Sequence, residues 1–230
     1  MQDATVDDAR VLRALLAGPG AGSNFLLETE PRVAHNSRMK TLFYITVFAG
    51  MLAGISSAAE PALYSVNFDK GLPEKWRTGV LTSEKLPADS KQAVTAKVTD
   101  GKAENISADV NWVQGHFTIA DDLYFNFRVR LTNPQWYQVF LMAKSPGAAN
   151  DGRLYEAKPD VTGVAAGEWK VVSLPINSFK GLAADAVGKP PEAGKICWSY
   201  FFDSQGRDLG LTIDRVWITK GAPGTVPPAP

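Results

Sequence analysis

Apolar and polar side chains alternate strictly along the segment DLYFNFRVRL, residues 122–131. Successive side chains of a β-strand point to opposite faces, so one face of this strand is predicted to pack and the other to meet solvent. Burial of each large apolar side chain contributes about 1.5 to 3 kcal/mol, which outweighs local conformational preferences. The apolar positions are Leu123, Phe125, Phe127, Val129 and Leu131.

Comparable segments recur along the chain between clusters of Gly, Pro, Asn and Asp, which is the pattern of an all-β protein. Helical periodicity is nearly absent, since the one candidate, residues 182–187, is at most a turn or two. About eight antiparallel strands around one interior predict a two-sheet β-sandwich, specifically a jelly roll. The predicted strands span residues 63–68, 92–98, 106–113, 122–131, 135–143, 169–174, 195–203 and 209–219.

A second pattern, at residues 39–59, is typical of a secretory signal peptide. Arg38 and Lys40 supply a positive end, residues 41–55 an apolar run, and Ser57-Ala58-Ala59 the small residues of a cleavage site before Glu60. The run is shorter than the ~20 residues that span a bilayer, although an uncleaved anchor is the alternative. The sequence therefore predicts a secreted or periplasmic protein with no membrane association after cleavage.

The predicted signal peptide separates an amino-terminal leader from the domain that follows it. Residues 1–38 have no reason to precede an export signal, so they are predicted to be a disordered, misassigned leader, with Met39 as the true start. Residues 60–220 are the predicted sandwich domain. Residues 221–230, GAPGTVPPAP, are predicted to form a disordered tail because Pro and Gly dominate them.

Charge and cysteine content exclude several classes of function. The chain has 24 basic and 24 acidic residues, so it lacks the basic excess that binding to nucleic acid or an anionic membrane requires. Cys197 is the only cysteine, so no internal disulfide can form. Stability must therefore come from burial.

Several phrases carry a family resemblance, in this order over most of the predicted mature chain: YSVNFDKGLPEKW, FNFRVRL, GEWKVVSLPINSF and LTIDRVWITKG. Together they resemble the jelly-roll sandwiches of the galactose-binding-like superfamily, which includes carbohydrate-binding modules of secreted glycan-degrading enzymes. The resemblance implies a structural Ca²⁺ held by Asp69 and Asp214, with surface pairing of Asp214 to Arg215 or Asp69 to Lys70 as the alternative. No other cofactor is implied.

The resemblance also implies an exported, non-catalytic module that binds a polysaccharide or oligosaccharide. Such a site needs an exposed aromatic platform with polar side chains around it. The solvent face of residues 122–131 and the neighbouring strands offer both. The predicted ligand-binding residues are Tyr124, Asn126, Arg128, Trp136, Gln138 and Tyr200.

The phase of two of these strands stays open. In WYQVFLMA, one alternative is that Tyr137, Val139 and Leu141 point inward while Trp136, Gln138 and Phe140 point outward. The other alternative is the opposite orientation of both sets. In CWSYFFD, one of two alternating sets faces solvent. The sets are Trp198, Tyr200 and Phe202, or Cys197, Ser199, Phe201 and Asp203.

Two other functions remain as alternatives. A glycan hydrolase needs two carboxyl groups held ~5 to 10 Å apart, and no local motif organises such a pair here. A polysaccharide lyase that uses Tyr and Arg is the enzyme least excluded. The second alternative is an extracytoplasmic protein-interaction or structural module.

Overall fold

The structure is a computed structural model that describes residues 62–74, 76, 78–109, 115–149 and 151–227. The chain divides into two units, Met1–Ala53 and Gly54–Pro230, and every described residue belongs to the second. The predicted leader and signal peptide therefore lie outside the described residues. Within the described part of the chain, no helix is long and apolar enough to cross a membrane.

Short antiparallel strands and one 3₁₀ turn, Ile176–Ser178, make up the regular structure of the described chain. The strands are β1 (Tyr64–Asn67), β2 (Val80–Thr82), β3 (Ala93–Thr95), β4 (Val98–Thr99), β5 (Lys102–Ala103), β6 (Ile106–Asp109), β7 (Phe117–Thr118), β8 (Leu123–Arg130), β9 (Gln138–Lys144), β10 (Arg153–Ala157), β11 (Trp169–Pro175), β12 (Lys180–Gly181), β13 (Ile196–Asp203) and β14 (Thr212–Lys220).

The strands form two main sheets. The first sheet has the order β11-β8-β14-β3-β2, with β1 also paired to β14, and the second has the order β12-β10-β9-β13-β6, with β7 also paired to β13. Strands β4 and β5 form a separate two-stranded sheet. The first and last strands of the domain are thus neighbours, with Tyr64 opposite Ile218 and Asn67 opposite Arg215.

One apolar core lies between the two sheets. Phe125 and Phe127 of β8 are fully buried and meet Phe202 of β13 with ring centroids 6.2 and 5.0 Å apart. Phe179, just after the 3₁₀ turn, is also fully buried and lies 6.0 Å from Phe125. The predicted all-β, two-sheet antiparallel sandwich is confirmed.

Each of the predicted strands overlaps an observed strand, and the 182–187 segment forms turns rather than a helix. The shortest strands were not predicted, because two or three residues are too few to show alternation. Strand β10 was also missed, since its first residue, Arg153, ends the turn-rich segment KSPGAANDGR. Neighbouring strands on both sides, rather than its own sequence, hold β10 in place.

The core contains tyrosine hydroxyls that make the fold sensitive to alkaline pH. Burial raises the pKa of Tyr64 to about 12, although its hydrogen bond with Tyr200 acts in the opposite direction. Burial also raises the pKa of Tyr200. Because unfolded tyrosines ionise near pH 10, these groups contribute fully to stability below about pH 10 and oppose folding increasingly above it.

We therefore expect the urea midpoint of the chain to fall steadily as the pH rises from about 10 to 12. Urea titrations at fixed pH, with tyrosinate absorbance recorded in parallel, measure both quantities. Tyr64→Phe removes one of the ionising groups and should flatten the decline. Equal slopes for the two chains would contradict the assignment of the alkaline loss to Tyr64.

Candidate functional site

The structure distributes the predicted ligand-binding side chains over separate places rather than one surface. Two of these places are the outer faces of opposite sheets, and the third is the core between them. Tyr124, Asn126 and Arg128 lie on the outer face of the first sheet, Trp136 and Gln138 belong to the outer face of the second sheet, and Tyr200 lies in the core.

Tyr200 lies in the core, so the prediction that its ring faces solvent is wrong. It is fully buried, and its hydroxyl lies 3.0 Å from that of Tyr64. The cause is a β-bulge between Cys197 and Ser199, which shifts the register of β13 against β9. Strict alternation fails at that point, so Cys197, Tyr200 and Phe202 all join the core.

Arg128 is on the outer face of the first sheet, but it is not free to bind a ligand. Its guanidinium donates hydrogen bonds to Asp214, to Asp89 (2.9 Å) and to Ser90 Oγ (2.7 Å). It is only 8% exposed, because the loop at residues 83–92 covers this end of β8. The predicted solvent exposure of Arg128 is therefore wrong.

The same loop covers Arg130, whose guanidinium donates to the backbone carbonyls of Glu84 (3.0 Å) and Lys85 (3.1 Å). Partial burial acts to raise the pKa of Asp89, but the hydrogen bond and charge of Arg128, together with the charge of Arg215, hold that pKa below its usual value. This polar network fixes the loop to the sheet and thereby removes Arg128 and Arg130 from solvent.

Asn126 is also engaged within the fold. Its side-chain amide donates to Tyr124 O, Trp217 O and Thr219 Oγ1, and its carbonyl oxygen accepts from the backbone N–H of Gly224 at 3.1 Å. The predicted exposure of Asn126 is wrong, since the side chain is fully buried. Tyr124 is half-buried at the end of this face, and its role in binding stays a prediction.

The two aspartates predicted to hold Ca²⁺ have other partners. Asp69 accepts from the backbone N–H groups of Lys91 (2.7 Å) and Gln92 (3.4 Å), which anchors the 83–92 loop to the end of β1. Asp214 pairs with Arg128. No group of three or more His, Cys, Asp or Glu side chains that could hold a metal ion occurs among the described residues. The residues present do not fit a Ca²⁺ site, which needs six to eight oxygen ligands.

The outer face of the second sheet is different, because it carries an exposed indole. Trp136, just before β9, is 44% exposed. The guanidinium carbon of Arg207 lies 3.8 Å from the ring centroid, and Lys158 Nζ lies 5.9 Å from it. Arg207 is held by donation to the backbone carbonyls of Ser204 (2.9 Å) and Trp136. The indole is therefore fixed in place and flanked by cations.

A stacked pair of phenylalanines continues this face toward the centre of the sheet. Phe140 and Phe201 are cross-strand partners whose rings are 4.6 Å apart and 17° from parallel. Phe201 is half-buried and Phe140 is 7% exposed. Because a strand rises about 3.3 Å per residue, Trp136 and Phe140 are roughly 13 Å apart along the strand.

Polar side chains lie between and beside these rings. Gln138 Oε1 accepts from Gln205 Nε2 at 2.6 Å, Asp203 is opposite Gln138, and Glu156 is opposite Phe140. Glu156 also pairs with Lys158 at 3.0 Å. We call this surface, from Trp136 to the Phe140–Phe201 pair with these polar neighbours, the aromatic strip.

Trp136 and Gln138 are the two predicted ligand-binding residues at the aromatic strip, and the sequence did not predict the rest of it. The predicted exposure of Gln138 is wrong, since the residue is only 4% exposed and Gln205 engages its side chain, whereas the binding role of Trp136 stays a prediction. The outward phase of Trp136, Gln138 and Phe140 was one of two open interpretations of β9, and the place of Tyr137, Val139 and Leu141 in the core between the sheets selects it. Phe201 was in one of the two open sets for β13. Arg207 gave no signal, because it belongs to the turn segment DSQGRD and its contact with Trp136 joins residues 71 positions apart.

Cys197 has no role at this surface. It is fully buried and free of any disulfide. Burial raises the pKa of its thiol, so the reactive thiolate is disfavoured.

No protein-family model matches the chain. No curated protein matches it either. Among solved structures, a family 11 carbohydrate-binding module from Clostridium thermocellum, in complex with a β-1,3-1,4-mixed-linked tetrasaccharide, is 15% identical over 70% of this chain and 97% of its own, with a TM-score of 0.42.

The CBM22-2 xylan-binding domain of Xyn10C from Paenibacillus barcinonensis is 11% identical over 69% of this chain and 99% of its own, with a TM-score of 0.43. A family 30 carbohydrate-binding module is 11% identical over 68% and 91%, with a TM-score of 0.34. These domains are of the class that the sequence resembles. At such identities and TM-scores they carry no argument about ligand or mechanism, so function must be argued from the chain's own residues.

Proposed function

We propose that the aromatic strip binds a polysaccharide or oligosaccharide without catalysing its cleavage. The observation that supports this most is the indole of Trp136, which is 44% exposed and held against Arg207 at one end of a sheet face. The pyranose ring of a sugar presents a flat C–H face that packs on an aromatic ring, and its hydroxyls need hydrogen-bonding partners nearby. Trp136 offers the first, and the half-buried Glu156 and Asp203 with the exposed Gln205 offer the second.

Fixation of the indole favours binding in a second way. Stacking on a mobile side chain loses part of its energy to the ordering of that side chain, whereas Arg207 already restrains Trp136. The Phe140–Phe201 pair, roughly 13 Å further along the strand, lies where a longer chain would pass. The spacing therefore favours an oligomeric or polymeric ligand over a single sugar.

The carboxylates of the aromatic strip favour binding over hydrolysis. Glu156 pairs with Lys158, and Asp203 accepts from the backbone N–H of Gln205 at 2.6 Å. Glu156 lies on β10 and Asp203 on β13, with β9 between these two strands. Their partners on β9, Phe140 and Gln138, are two residues apart, so the backbone positions of Glu156 and Asp203 are about 12 Å apart. Glycoside hydrolysis uses carboxyl groups about 5 to 9.5 Å apart.

The site of action is proposed from the amino-terminal pattern. A signal peptide at residues 39–59 would deliver the domain to the periplasm or the outside of the cell, where polysaccharides are encountered. Those residues lie outside the described part of the chain, so mass spectrometry of the exported protein is the direct test. A mature chain that begins at Glu60 is the expected result.

The binding proposal is tested with Trp136→Ala on a panel of insoluble and soluble polysaccharides. We expect the unsubstituted chain to be retained by at least one glycan and Trp136→Ala to bind it about tenfold or more weakly, since loss of one stacking platform is worth roughly 1.4 kcal/mol. Affinity electrophoresis and isothermal titration calorimetry measure the change, and the urea midpoint shows whether the fold is intact.

Val171→Ala is the matched control, because Val171 is 39% exposed on the outer face of the opposite sheet. It should bind as the unsubstituted chain does. Equal affinities for Trp136→Ala and Val171→Ala would contradict the proposed site. Release of reducing ends or of unsaturated products by the unsubstituted chain would show catalysis instead.

A further inference from the structure

Trp217 is an outward-facing tryptophan that is nevertheless fully buried. Its neighbours in β14, Val216 and Ile218, point into the core, whereas Trp217 is opposite Asn126 of β8 and Ser65 of β1 on the outer face of the first sheet. The segment at residues 221–227 covers it. A Cβ atom at Gly224 would overlap Nε1 of Trp217 and lie 2.6 Å from Cγ2 of Thr219. The backbone of Gly224 thus rests directly on the indole.

The covering segment is held through its main chain. The N–H of Gly221 donates to Asp122 O at 2.7 Å, and the N–H of Gly224 donates to the Asn126 side chain at 3.1 Å. Thr219 Oγ1 donates to Ala222 O at 2.7 Å. Arg215 Nη1 donates to Pro227 O. The sheet therefore binds the main chain of this segment. Direct contact with Trp217 leaves no room for a side chain at Gly224, and the positive φ of Gly221 (76°) also favours glycine there.

Residues 221–230 are predicted from composition to form a disordered tail, and that stays a prediction; residues 221–227 of it lie against the sheet in the structure. The composition is suitable for docking, because Pro223 and Pro227 restrict their own φ angles before any contact forms. Pro-rich extended segments lose little conformational entropy on binding, and grooves floored by aromatic side chains are a recurrent way of recognising them. Residues 223–227 belong to no helix or strand. Side chains of the sheet bind two of their polar groups, the N–H of Gly224 and the carbonyl of Pro227.

The face retains binding capacity that residues 221–227 do not use. Nε1 of Trp217 and Nε of Arg215 are buried without a hydrogen-bond partner among the described residues. A buried donor without an acceptor is unfavourable, so a peptide that displaces residues 221–227 and places carbonyl groups at these donors would gain interactions that the chain's own segment does not make. A cavity of about 1510 Å³ also lies beside the segment, lined by Ser65, Asn67 and Leu72 among others.

We propose that the outer face of the first sheet around Trp217 is a recognition groove for extended Gly/Pro-rich peptide. Residues 221–227 fill the groove in cis, and an equivalent Gly/Pro-rich segment of another polypeptide is its partner in trans. This surface is on the sheet opposite the aromatic strip, so the proposal is independent of carbohydrate binding. Specificity comes from the contact between Gly224 and Trp217 together with the main-chain hydrogen bonds.

The test uses the full chain with Gly224→Val and a synthetic peptide of residues 221–230, GAPGTVPPAP. The valine side chain overlaps Trp217, so the covering segment leaves while every core side chain stays in place. The peptide is expected to bind Gly224→Val at least about tenfold more tightly than the unsubstituted chain, because a short tether gives the cis segment an effective concentration in the millimolar range. Titration of the Trp217 indole N–H signal in NMR spectra, assigned with Trp217→Phe, measures both affinities.

A peptide that carries Gly224→Val should not bind either chain. Thr225→Val is the matched control in both peptide and chain, because it places the same side chain on the adjacent, exposed residue. It should behave as the unsubstituted sequence does. In the unsubstituted chain, the Gly224 amide should exchange with solvent at least about tenfold more slowly than in the free peptide, since it is hydrogen-bonded to Asn126.

Three results would overturn the proposal. One is free exchange of the Gly224 amide in the unsubstituted chain, a measurement that needs no variant. Another is a Gly224→Val chain whose Trp217 becomes solvent-exposed yet does not bind the peptide. The third is a Gly224→Val chain that ignores the peptide and gains affinity for a glycan, which would assign Trp217 to sugar binding.

Discussion

Arg128→Met is expected to lower the free energy of unfolding by about 3 to 5 kcal/mol. Asp214 is fully buried, and Arg128 is its ion-pair partner. Oδ1 of Asp214 has no hydrogen-bond partner among the described residues. The contact between Oδ2 of Asp214 and the guanidinium of Arg128 therefore stabilises the negative charge of this carboxylate. Removal of Arg128 therefore leaves a buried carboxylate without compensation. The pair with Asp89 adds little, because the Asp89 side chain is 48% exposed. Urea titration at neutral pH measures the loss.

Two further variants separate this explanation from a general effect of removing an arginine. Arg153→Met breaks the exposed ion pair with Asp185 and should lower the free energy of unfolding far less than Arg128→Met does. The double variant Arg128→Met/Asp214→Leu removes the stranded charge and should recover at least half of the loss from Arg128→Met. A single Arg128→Met variant as mild as Arg153→Met would mean that the pair is dispensable, and Arg128 would again be a candidate for ligand binding.

The inner faces of the sandwich could be predicted from the sequence because they obey a local rule. Alternation along residues 122–131 places Phe125, Phe127 and Val129 toward the core, and all three are buried. The rule fails where β13 bulges between Cys197 and Ser199, because one extra residue reverses the phase of the rest of the strand. Nothing in CWSYFFD marks that bulge, so Tyr200 was assigned to the wrong side.

The outer faces could not be predicted in the same way. Alternation tells which side chains leave the core, but whether a distant segment covers them depends on tertiary contacts. Arg128 is buried by a loop about 40 residues earlier in the chain, and Asn126 by Gly224, 98 positions later. The polar character that suggested a wet surface at these positions instead serves to bind those segments. Trp136 is exposed because no distant segment of the described chain covers it, so the second sheet carries the proposed binding surface.

Tyr200→Ala is the second large effect that the structure predicts, at about 3 to 5 kcal/mol lost from the free energy of unfolding. Tyr200 is fully buried, and its ring lies 5.2 Å from Phe125, 6.0 Å from Trp76 and 4.8 Å from His116. Tyr200→Phe keeps that packing and removes only the hydroxyl partner of Tyr64, so it should cost about 1 to 3 kcal/mol. Urea titration measures the stability of both variants, and glycan affinity is compared where each is folded. A Tyr200→Ala chain with an unchanged urea midpoint but weaker glycan binding would contradict a core position and restore Tyr200 to the ligand-binding surface. The graded loss expected here instead has two causes: the cavity that Tyr200→Ala leaves between the two sheets, and the hydroxyl contact with Tyr64 that Tyr200→Phe removes.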